Sequence, residues 1–280
     1  MVIQLLLHIY VFVLGCLVGS FLNVCIYRLP RGKSVFRPMR SYCPQCHEPI
    51  AWYDNMPVVS YLRLGGCCRH CGGVISPRYA LVELLTGGLF LLTFVALRGR
   101  SPSEPWGVIA ISVAFVSLLI ASSFIDLELR IIPDSLTLGG AACALVLSAL
   151  LPQLHDRQDY GRDLLFFEND RTLGALAACI AGMAVGAFAI WITGLAGRAL
   201  FRKEAMGLGD VKFMAMVGGF LGWKLTLVAF FIAPLFGALI GIAMLIRTRD
   251  HHIPYGPFLS IGAFIAMLWG MDIVHFFSGM

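Results

Sequence analysis

Two aspartates adjoin long apolar runs, where an ionisable side chain is costly and needs a reason. Asp126 directly follows the apolar run 106–125, and Asp210 stands in Gly207-Leu208-Gly209-Asp210 at the opening of the run 212–223. Two carboxyls held close together in partly desolvated surroundings cannot easily both ionise, so the pair shares a proton. The ionised member can activate water while the protonated member polarises a carbonyl. The pair therefore predicts hydrolysis of peptide bonds.

Each aspartate also has a purely structural interpretation. Asp210 is suited to cap a helix, and Asp126 is suited to pair with Arg130 at the membrane interface. Asp134 follows Pro133, which predicts a cap for the next helix. Glycines before Asp210 let the backbone bend and let another chain approach closely. The predicted supporting residues around the aspartate pair are Gly207, Gly209, Lys212 and Asp134.

Four cysteines form two CxxC pairs, Cys43-Pro-Gln-Cys46 and Cys68-Arg-His-Cys71, with 21 residues between them. Each pair can present two thiolates to one tetrahedral ion, and this double spacing is typical of zinc ribbons. A site of four thiolates is closed, so we predict a structural zinc ion that holds a loop too small to build its own core. A reducing cytoplasmic face argues against two disulfides, and four incidental free cysteines are the weaker alternative.

The choice of zinc ligands is open at one position. Cys67 adjoins Cys68, so a Cys67/Cys71 pair is conceivable, although the two-residue spacing favours Cys68. His47 and His70 lie beside the predicted ligands and could replace one of them.

The composition is that of a membrane protein. The chain of 280 residues is 59% hydrophobic and 13% charged, with a mean hydropathy of +0.82. Soluble domains are nearer about 45–50% apolar and about 25% charged. Eight Lys or Arg lie within 28–78 against two acidic residues. Loops between spans are commonly basic on the cytoplasmic side, so this stretch does not indicate a nucleic-acid partner.

The apolar runs predict an all-α polytopic fold with about eight transmembrane helices and a small cytoplasmic zinc-ribbon-like module between helices 1 and 2. The sixth run is short enough to be re-entrant or strongly packed. The basic loops place both termini outside and both aspartates at the cytoplasmic edge. The eight runs are 5–27, 79–98, 106–125, 135–151, 173–195, 212–223, 225–246 and 257–278.

Three regions follow from this topology. Residues 1–27 are the first transmembrane helix and are predicted to be a retained span, because no small-residue cleavage site follows them. Residues 28–78 are the cytoplasmic four-cysteine loop. Residues 79–280 are the membrane helical protease region, with an extracytoplasmic polar loop at 152–172.

The chain resembles the type IV prepilin peptidases of bacterial type IV pilus and type II secretion systems. The resemblance covers essentially the whole chain and rests on seven ordered motifs, with two departures in the doubled Cys67-Cys68 and the long 152–172 segment. The motifs are Gly19-Ser-Phe-Leu-Asn-Val-Cys-Ile-Tyr-Arg-Leu-Pro30, the two CxxC pairs, Asn55-Met-Pro-Val-Val-Ser-Tyr-Leu62, Ser76-Pro-Arg-Tyr-Ala-Leu-Val-Glu83, Asp126 through Pro133-Asp134, Gly207-x-Gly-Asp-Val-Lys212 and Pro254-Tyr-Gly-Pro-Phe258.

The resemblance implies that Asp126 and Asp210 are the catalytic aspartates of a Gly-x-Gly-Asp-type membrane protease in the bacterial inner membrane, facing the cytoplasm. It implies prepilin or pseudopilin substrates, cut after the glycine that ends a short basic leader, and the pilus or type II secretion machinery as partners. It also implies N-methylation of the new N-terminus with S-adenosylmethionine. Four positions match family motifs and are candidates for the donor site, with helix packing as the alternative for each: Gly19, Ser20, Asn23 and Glu83.

Two other functions compete with this one. A peptidase without methyltransferase activity would have the same aspartates. A transporter or channel would use Asp126 and Asp210 as ion ligands and the zinc loop as a docking module. The transporter leaves the approachable Gly-x-Gly-Asp backbone unexplained, and a scaffold leaves both aspartates unexplained.

Overall fold

The computed structural model describes residues 2–37, 41–43, 45–156, 170–201, 206–248 and 254–278. This part of the chain is helical, with two isolated β-bridges as its only extended pairing. The helices are α1 (Val2–Arg28), α2 (Val59–Arg63), α3 (Arg78–Arg100), α4 (Trp106–Leu129), α5 (Asp134–Leu150), α6 (Gln153–Asp156), α7 (Arg171–Phe201), α8 (Leu208–Thr248) and α9 (Gly256–Ser278).

The all-α multi-pass fold is confirmed. Among the described residues, six helices are long and apolar enough to cross a membrane, and α5 is a shorter apolar helix. The predicted number of about eight differs because the sixth and seventh predicted spans are two segments of α8. They meet at Gly222, whose φ of 68° and ψ of 171° interrupt the helix. Glycine adopts this conformation without the steric cost that a side chain would bring.

The first segment of α8 is packed against protein. Phe213, Met214, Met216 and Val217 are all fully buried. Large exposed apolar side chains lie instead elsewhere, such as Ile3 on α1 and Phe231 in the second segment of α8. The strongly packed interpretation of the short sixth run therefore agrees with the burial, since a lipid-facing helix would leave such side chains exposed.

The chain divides into two compact units. The first comprises residues 1–104 and 112–121, and the second comprises 105–111 and 122–280. The predicted polar loop 152–172 falls mostly outside the described residues, which end at 156 and resume at 170 on either side of it.

In the first unit, small residues let α1 and α3 approach closely. A Cβ atom added to Gly15 would lie 2.7 Å from the Cα of Gly87, and one added to Gly19 would lie 2.8 Å from the Cα of Glu83. Small residues at such crossings are a common way for membrane helices to pack through their backbones. The contact fixes the position of Glu83 relative to α1.

In the second unit, α8 packs against α5, α7 and α9. A Cβ on Gly182 of α7 would lie only 2.0 Å from the carbonyl oxygen of Gly218 on α8. A Cβ on Gly262 of α9 would lie 2.5 Å from the carbonyl oxygen of Ala229, also on α8. Helix α8 is thus fixed on two sides by backbone contacts, and its N-terminal turn carries Asp210.

Candidate active site and metal centre

Asp126 lies in the last turn of α4 and is 6% exposed. Its carboxylate oxygen Oδ2 accepts a hydrogen bond of 2.9 Å from the backbone N–H of Gly256, the first residue of α9. A Cβ at position 256 would lie 2.7 Å from the same oxygen. The N-terminus of a helix favours a negative charge, so α9 both orients this carboxylate and stabilises its ionised form. Only glycine leaves room for this approach.

Asp210 lies in the first turn of α8, where it is partly exposed. Its Oδ2 accepts a hydrogen bond of 3.3 Å from the N–H of Gly207. Because α8 begins at Leu208, Asp210 is the third helical residue, and its side chain reaches back to the residue before the helix, as in a capping box. The alternative of a simple N-cap is therefore wrong by position, although the residue does help to cap α8.

The two aspartates belong to the same compact unit, and the negative charge of Asp126 acts on Asp210. Asp126 comes from the end of α4 and Asp210 from the start of α8, which are separated by 84 positions in the sequence (210 minus 126). A Cβ added to Gly209 would lie 3.7 Å from the Cβ of Ile132, which is an ordinary contact, so packing alone does not require glycine at this position. The structure thus places in one unit the two carboxylates that sequence analysis paired, within range for the charge of Asp126 to act on Asp210.

Two of the predicted supporting residues pair with each other. The ammonium nitrogen Nζ of Lys212 lies 2.8 Å and 2.9 Å from the two carboxylate oxygens of Asp134. Asp134 is the first residue of α5, and Pro133 occupies the cap position that was predicted for Asp134. The ion pair is largely exposed, so it contributes no more than about 1 kcal/mol to stability. It joins the start of α5 to the first turns of α8.

Tyr255 and Gly256 are site residues to which sequence analysis gave no role, although their motif was recognised. Burial raises the pKa of Tyr255 to about 12, and the negative charge of Asp210 contributes to the rise. The phenol therefore stays protonated at neutral pH and can donate a hydrogen bond beside the aspartates. The signal in the sequence was a glycine between two prolines at a helix start, but the residue that it faces is set by tertiary packing.

The four CxxC cysteines form one cluster in the first unit. Their sulfur atoms all lie within 4.8 Å of one another, with Cys43 and Cys71 at 3.9 Å and Cys46 and Cys68 at 4.0 Å. A tetrahedral zinc ion with bonds of about 2.3 Å needs sulfur atoms about 3.8 Å apart, so the geometry fits. Cys67 lies outside the cluster and directs its sulfur to the carbonyl of Gly65 at 3.7 Å.

The two CxxC segments fold into equivalent turns. In the first, the N–H of His47 donates to the carbonyl of Cys43 at 2.9 Å, and in the second the N–H of Gly72 donates to that of Cys68 at 2.9 Å. Both His47 and Gly72 have a positive φ, of 59° and 68°. This equivalence explains why the histidine occupies a turn position and is absent from the cluster.

Backbone amides prepare the cysteines for a cation. The N–H groups of Cys46 and Gln45 lower the pKa of Cys43 to about 7. In the second turn, the N–H groups of Cys71 and His70 lower the pKa of Cys68. At Cys46 the N–H of Glu48 acts in the same direction, but burial and the neighbouring sulfur atoms raise the pKa to about 12. Thiolates are the form that binds metal, so the backbone amides favour that form at Cys43 and Cys68.

Comparison with known proteins gives the family of this chain. The model of the bacterial peptidase A24 N-terminal domain matches residues 13–97, and that of the type IV leader peptidase family matches residues 113–242. The prepilin leader peptidase/N-methyltransferase of Aeromonas salmonicida is 34% identical over 95% of this chain and 92% of its own length. The chain belongs to the type IV leader peptidase family.

Two other relatives support the same family. The proteins of the same name from Aeromonas hydrophila and Pseudomonas aeruginosa are 36% and 32% identical, over 95% and 94% of this chain and 92% and 90% of their own lengths. No solved structure matches the chain. Membership of the type IV leader peptidase family and these names support peptidase and N-methyltransferase activities, and they give no support to a transporter or channel.

The four candidates for the methyl-donor site separate into two groups. Gly19 packs against the backbone at Glu83, which is the helix-packing alternative. Asn23 and Glu83 are buried polar residues beneath the loop that carries the cysteines, and Ser20 lines the same space. The side-chain N–H of Asn23 donates to the carbonyl of Tyr79 at 3.0 Å, and Glu83 accepts the N–H of Val58 at 2.8 Å.

Proposed function

We propose that this member of the type IV leader peptidase family cleaves prepilin leaders with Asp126 and Asp210 as its catalytic aspartates. The observation that carries the proposal is the location of two carboxylates at helix ends within one compact unit, where the charge of Asp126 acts on Asp210. Asp126 is buried against the N-terminus of α9, and Asp210 lies in the more accessible first turn of α8. A peptide carbonyl and a water molecule would enter from the side of Asp210.

Hydrolysis uses one proton shared by the pair. The ionised carboxylate takes a proton from water, while the protonated carboxyl donates a hydrogen bond to the scissile carbonyl. The water oxygen bonds to the carbonyl carbon, the carbon–nitrogen bond breaks, and the nitrogen takes a proton. The products are a leader that ends in a carboxylate and a pilin with a free amine. Tyr255 supplies a further protonated donor beside Asp210.

The proposed substrates are prepilins or pseudopilins, cut after the leader glycine, and the proposed setting is the bacterial inner membrane with the site facing the cytoplasm. The basic residues of 28–78 support this orientation, because Lys and Arg accumulate on the cytoplasmic side. A short basic leader in the cytoplasm would then reach the site without crossing the membrane. The machinery of type IV pili or type II secretion is the proposed consumer of the product.

We also propose a structural zinc ion bound by Cys43, Cys46, Cys68 and Cys71. The fit of the sulfur cluster to a tetrahedral ion supports it. The ion would cross-link the two CxxC turns and supply no reacting group. S-adenosylmethionine is the proposed methyl donor, for which the N-methyltransferase names of the relatives are the support.

Replacement of either aspartate tests the peptidase assignment. Purified Asp126→Asn and Asp210→Asn should each lose about 10²–10⁴-fold in the rate of prepilin cleavage, because the shared proton and the base are lost. Intact mass of a prepilin incubated in detergent measures cleavage, and circular dichroism reports the fold.

Asp272→Asn is the matched control, since Asp272 lies near the C-terminal end of α9 and should leave the rate unchanged. Wild-type rates in either Asp126→Asn or Asp210→Asn would contradict the assignment.

A further inference from the structure

A cavity of about 380 Å³ lies within the first compact unit, and the proposed peptidase does not use it. Helix α1 contributes Asn23, helix α3 contributes Tyr79 and Glu83, and the loop contributes Tyr42 and Cys68. Sites for small molecules commonly have volumes of about 300–1,000 Å³ and combine apolar walls with a few polar groups. This cavity therefore has the size and composition of a ligand site.

One buried acceptor in the cavity lacks a partner. Asn23 is 4% exposed, and its Nδ2 donates to the carbonyl of Tyr79. Its Oδ1 has no hydrogen-bond partner among the described residues. An unsatisfied buried polar atom costs about 1–3 kcal/mol. The atom is thus available to an N–H or O–H group of a ligand.

A buried carboxylate lies on the same wall. Glu83 is 8% exposed, accepts the N–H of Val58 and interacts with the hydroxyl of Ser20. No Lys or Arg among the described residues forms an ion pair with it. Arg28 donates instead to the carbonyls of Ser34 and Val35, at 3.2 Å and 3.0 Å. Arg69, the other arginine that lines the cavity, pairs with Asp54, so neither arginine of the wall forms an ion pair with this buried carboxylate. A buried carboxylate without an ion pair favours a cationic ligand.

The backbone that contacts Glu83 is strained. Val58 has a φ of 60° and a ψ of −48°, and the N–H of Val59 donates to the carbonyl of Pro57 at 2.5 Å. A β-branched residue rarely adopts a positive φ, and such strain is concentrated at ligand sites and other functional positions. The turn places its N–H on the carboxylate and leaves the cavity open beside it.

Aromatic rings complete the wall. Tyr42, Tyr61 and Tyr79 all line the cavity. The face of an aromatic ring attracts cations and also stacks on flat heterocycles. A ligand that combines a flat base with a positively charged group would use both properties.

We propose that this cavity binds the methyl donor, a sulfonium-bearing nucleoside, with Glu83 facing its cationic group and Asn23 Oδ1 accepting one of its hydrogen-bond donors. The inference rests on the proposed N-methyltransferase function and assigns a place to it. Ser20 belongs to this site, and Gly19 belongs to the helix contact behind it.

Direct binding tests the assignment. The full-length protein in detergent is titrated with S-adenosylmethionine and, separately, with S-adenosylhomocysteine, which lacks the sulfonium charge, by isothermal titration calorimetry. Glu83→Gln keeps an acceptor for Val58 but removes the charge, so it should weaken the affinity for S-adenosylmethionine roughly tenfold or more. Asn23→Leu should weaken the affinity for both ligands, because it removes the side-chain oxygen that accepts their hydrogen bond.

Thr93→Val is the matched control. Thr93 is fully buried on α3, its hydroxyl has no partner among the described residues, and it does not line the cavity. The Thr93→Val variant should bind both ligands with wild-type affinity. All three variants should still cleave prepilin, which shows that they are folded.

A second measurement uses the unaltered protein. Ultraviolet cross-linking with radiolabelled S-adenosylmethionine should place the label in peptides from residues 20–28, 42–61 or 79–83. Label confined to residues 122–280 would overturn the assignment. If Glu83→Gln and Asn23→Leu bind the donor with wild-type affinity and the protein methylates pilin, the assignment of the donor to this cavity is wrong, while the methyltransferase function stands. If the wild-type chain neither binds the donor nor methylates, the methyltransferase function fails as well.

Discussion

The cysteine loop and the aspartate site hold their functional groups in place by different means. In the loop, residues 41–76 form only short elements, two isolated β-bridges and turns around four sulfur atoms. In the second unit, the aspartates lie at the ends of long helices whose backbones touch at glycines. The proposed zinc ion would cross-link the loop, whereas the aspartate site depends on helix packing. The two regions should therefore fail under different perturbations.

Loss of metal should have the largest effect. Structural zinc sites contribute about 10–16 kcal/mol of binding free energy in zinc-finger peptides, and little apolar burial in the loop would replace it. Chelation should make the 41–76 segment sensitive to trypsin while the helical circular dichroism persists. The donor cavity, which includes Cys68 in its wall, should bind S-adenosylmethionine less tightly.

Metal analysis should find one zinc per chain before chelation. A metal-free protein that resists trypsin equally well would show that the loop does not need the cross-link. Cys67→Ser is the control, because Cys67 lies outside the cluster and should keep the metal.

The helix contact at Asp126 should be the next most sensitive feature. Gly256→Ala places a methyl group 2.7 Å from Asp126 Oδ2 and forces the carboxylate away from the N–H of residue 256. Prepilin cleavage should fall roughly ten- to a hundredfold, because a displacement of about 1 Å at a reacting group can cost this much. The zinc content should not change.

Gly139→Ala is the matched control for glycine replacement. Gly139 lies in α5, and an added Cβ there meets nothing within 4 Å. The Gly139→Ala variant should cleave prepilin at the wild-type rate. Equal rates in Gly256→Ala would mean that the contact does not position Asp126.

The smallest effect should come from an ion pair in the loop. Arg69 forms a bidentate contact with Asp54, which lowers the pKa of Asp54. Because the pKa of Asp54 is lower in the folded protein, the pair stabilises the loop fully at pH values above the pKa of about 3.9 in the unfolded chain. This stabilisation is lost as the pH falls through the pKa of Asp54 in the folded protein.

Trypsin is unsuitable at that pH, so pepsin digestion between pH 2 and pH 6 measures the effect. Acid also protonates the thiolates and releases zinc from both proteins, so the ion pair is measured by the difference between wild type and variant. The wild-type loop should be better protected than that of the variant above about pH 4, and this difference should vanish below it. Arg69→Gln should show a smaller change over this window, and an identical pH profile in the variant would remove the pair from the explanation.

Much of the fold and site could be predicted from sequence, because membranes and metals impose strict patterns. Apolar runs predicted the membrane helices, and CxxC spacing predicted the sulfur cluster between the first two long helices. The break in α8 was harder to interpret. Short apolar runs on both sides of Gly222 suggest two spans, and the conformation of Gly222 does divide α8 into two helical segments.

Residues without a chemical signature were missed. Gly256 and Tyr255 belong to a recognised motif, but nothing in their types indicates that they meet the aspartates. The choice of Cys68 over Cys67 agrees with the spacing and with the place of Cys67 in a β-bridge to Val74. Such partners depend on which helix ends converge, and sequence separation does not reveal this.

The sequence by itself determined the membrane class, the cysteine quartet and the two aspartates, because hydrophobic length, ligand spacing and costly carboxylates are local properties. Only the tertiary structure decided what each carboxylate faces. It placed Asp126 on the backbone of Gly256 and joined Asp134 to Lys212. It left Glu83 in a cavity with the oxygen of Asn23, which has no hydrogen-bond partner in the described part of the chain. These relations arise from packing between residues far apart in the chain, which no local pattern encodes.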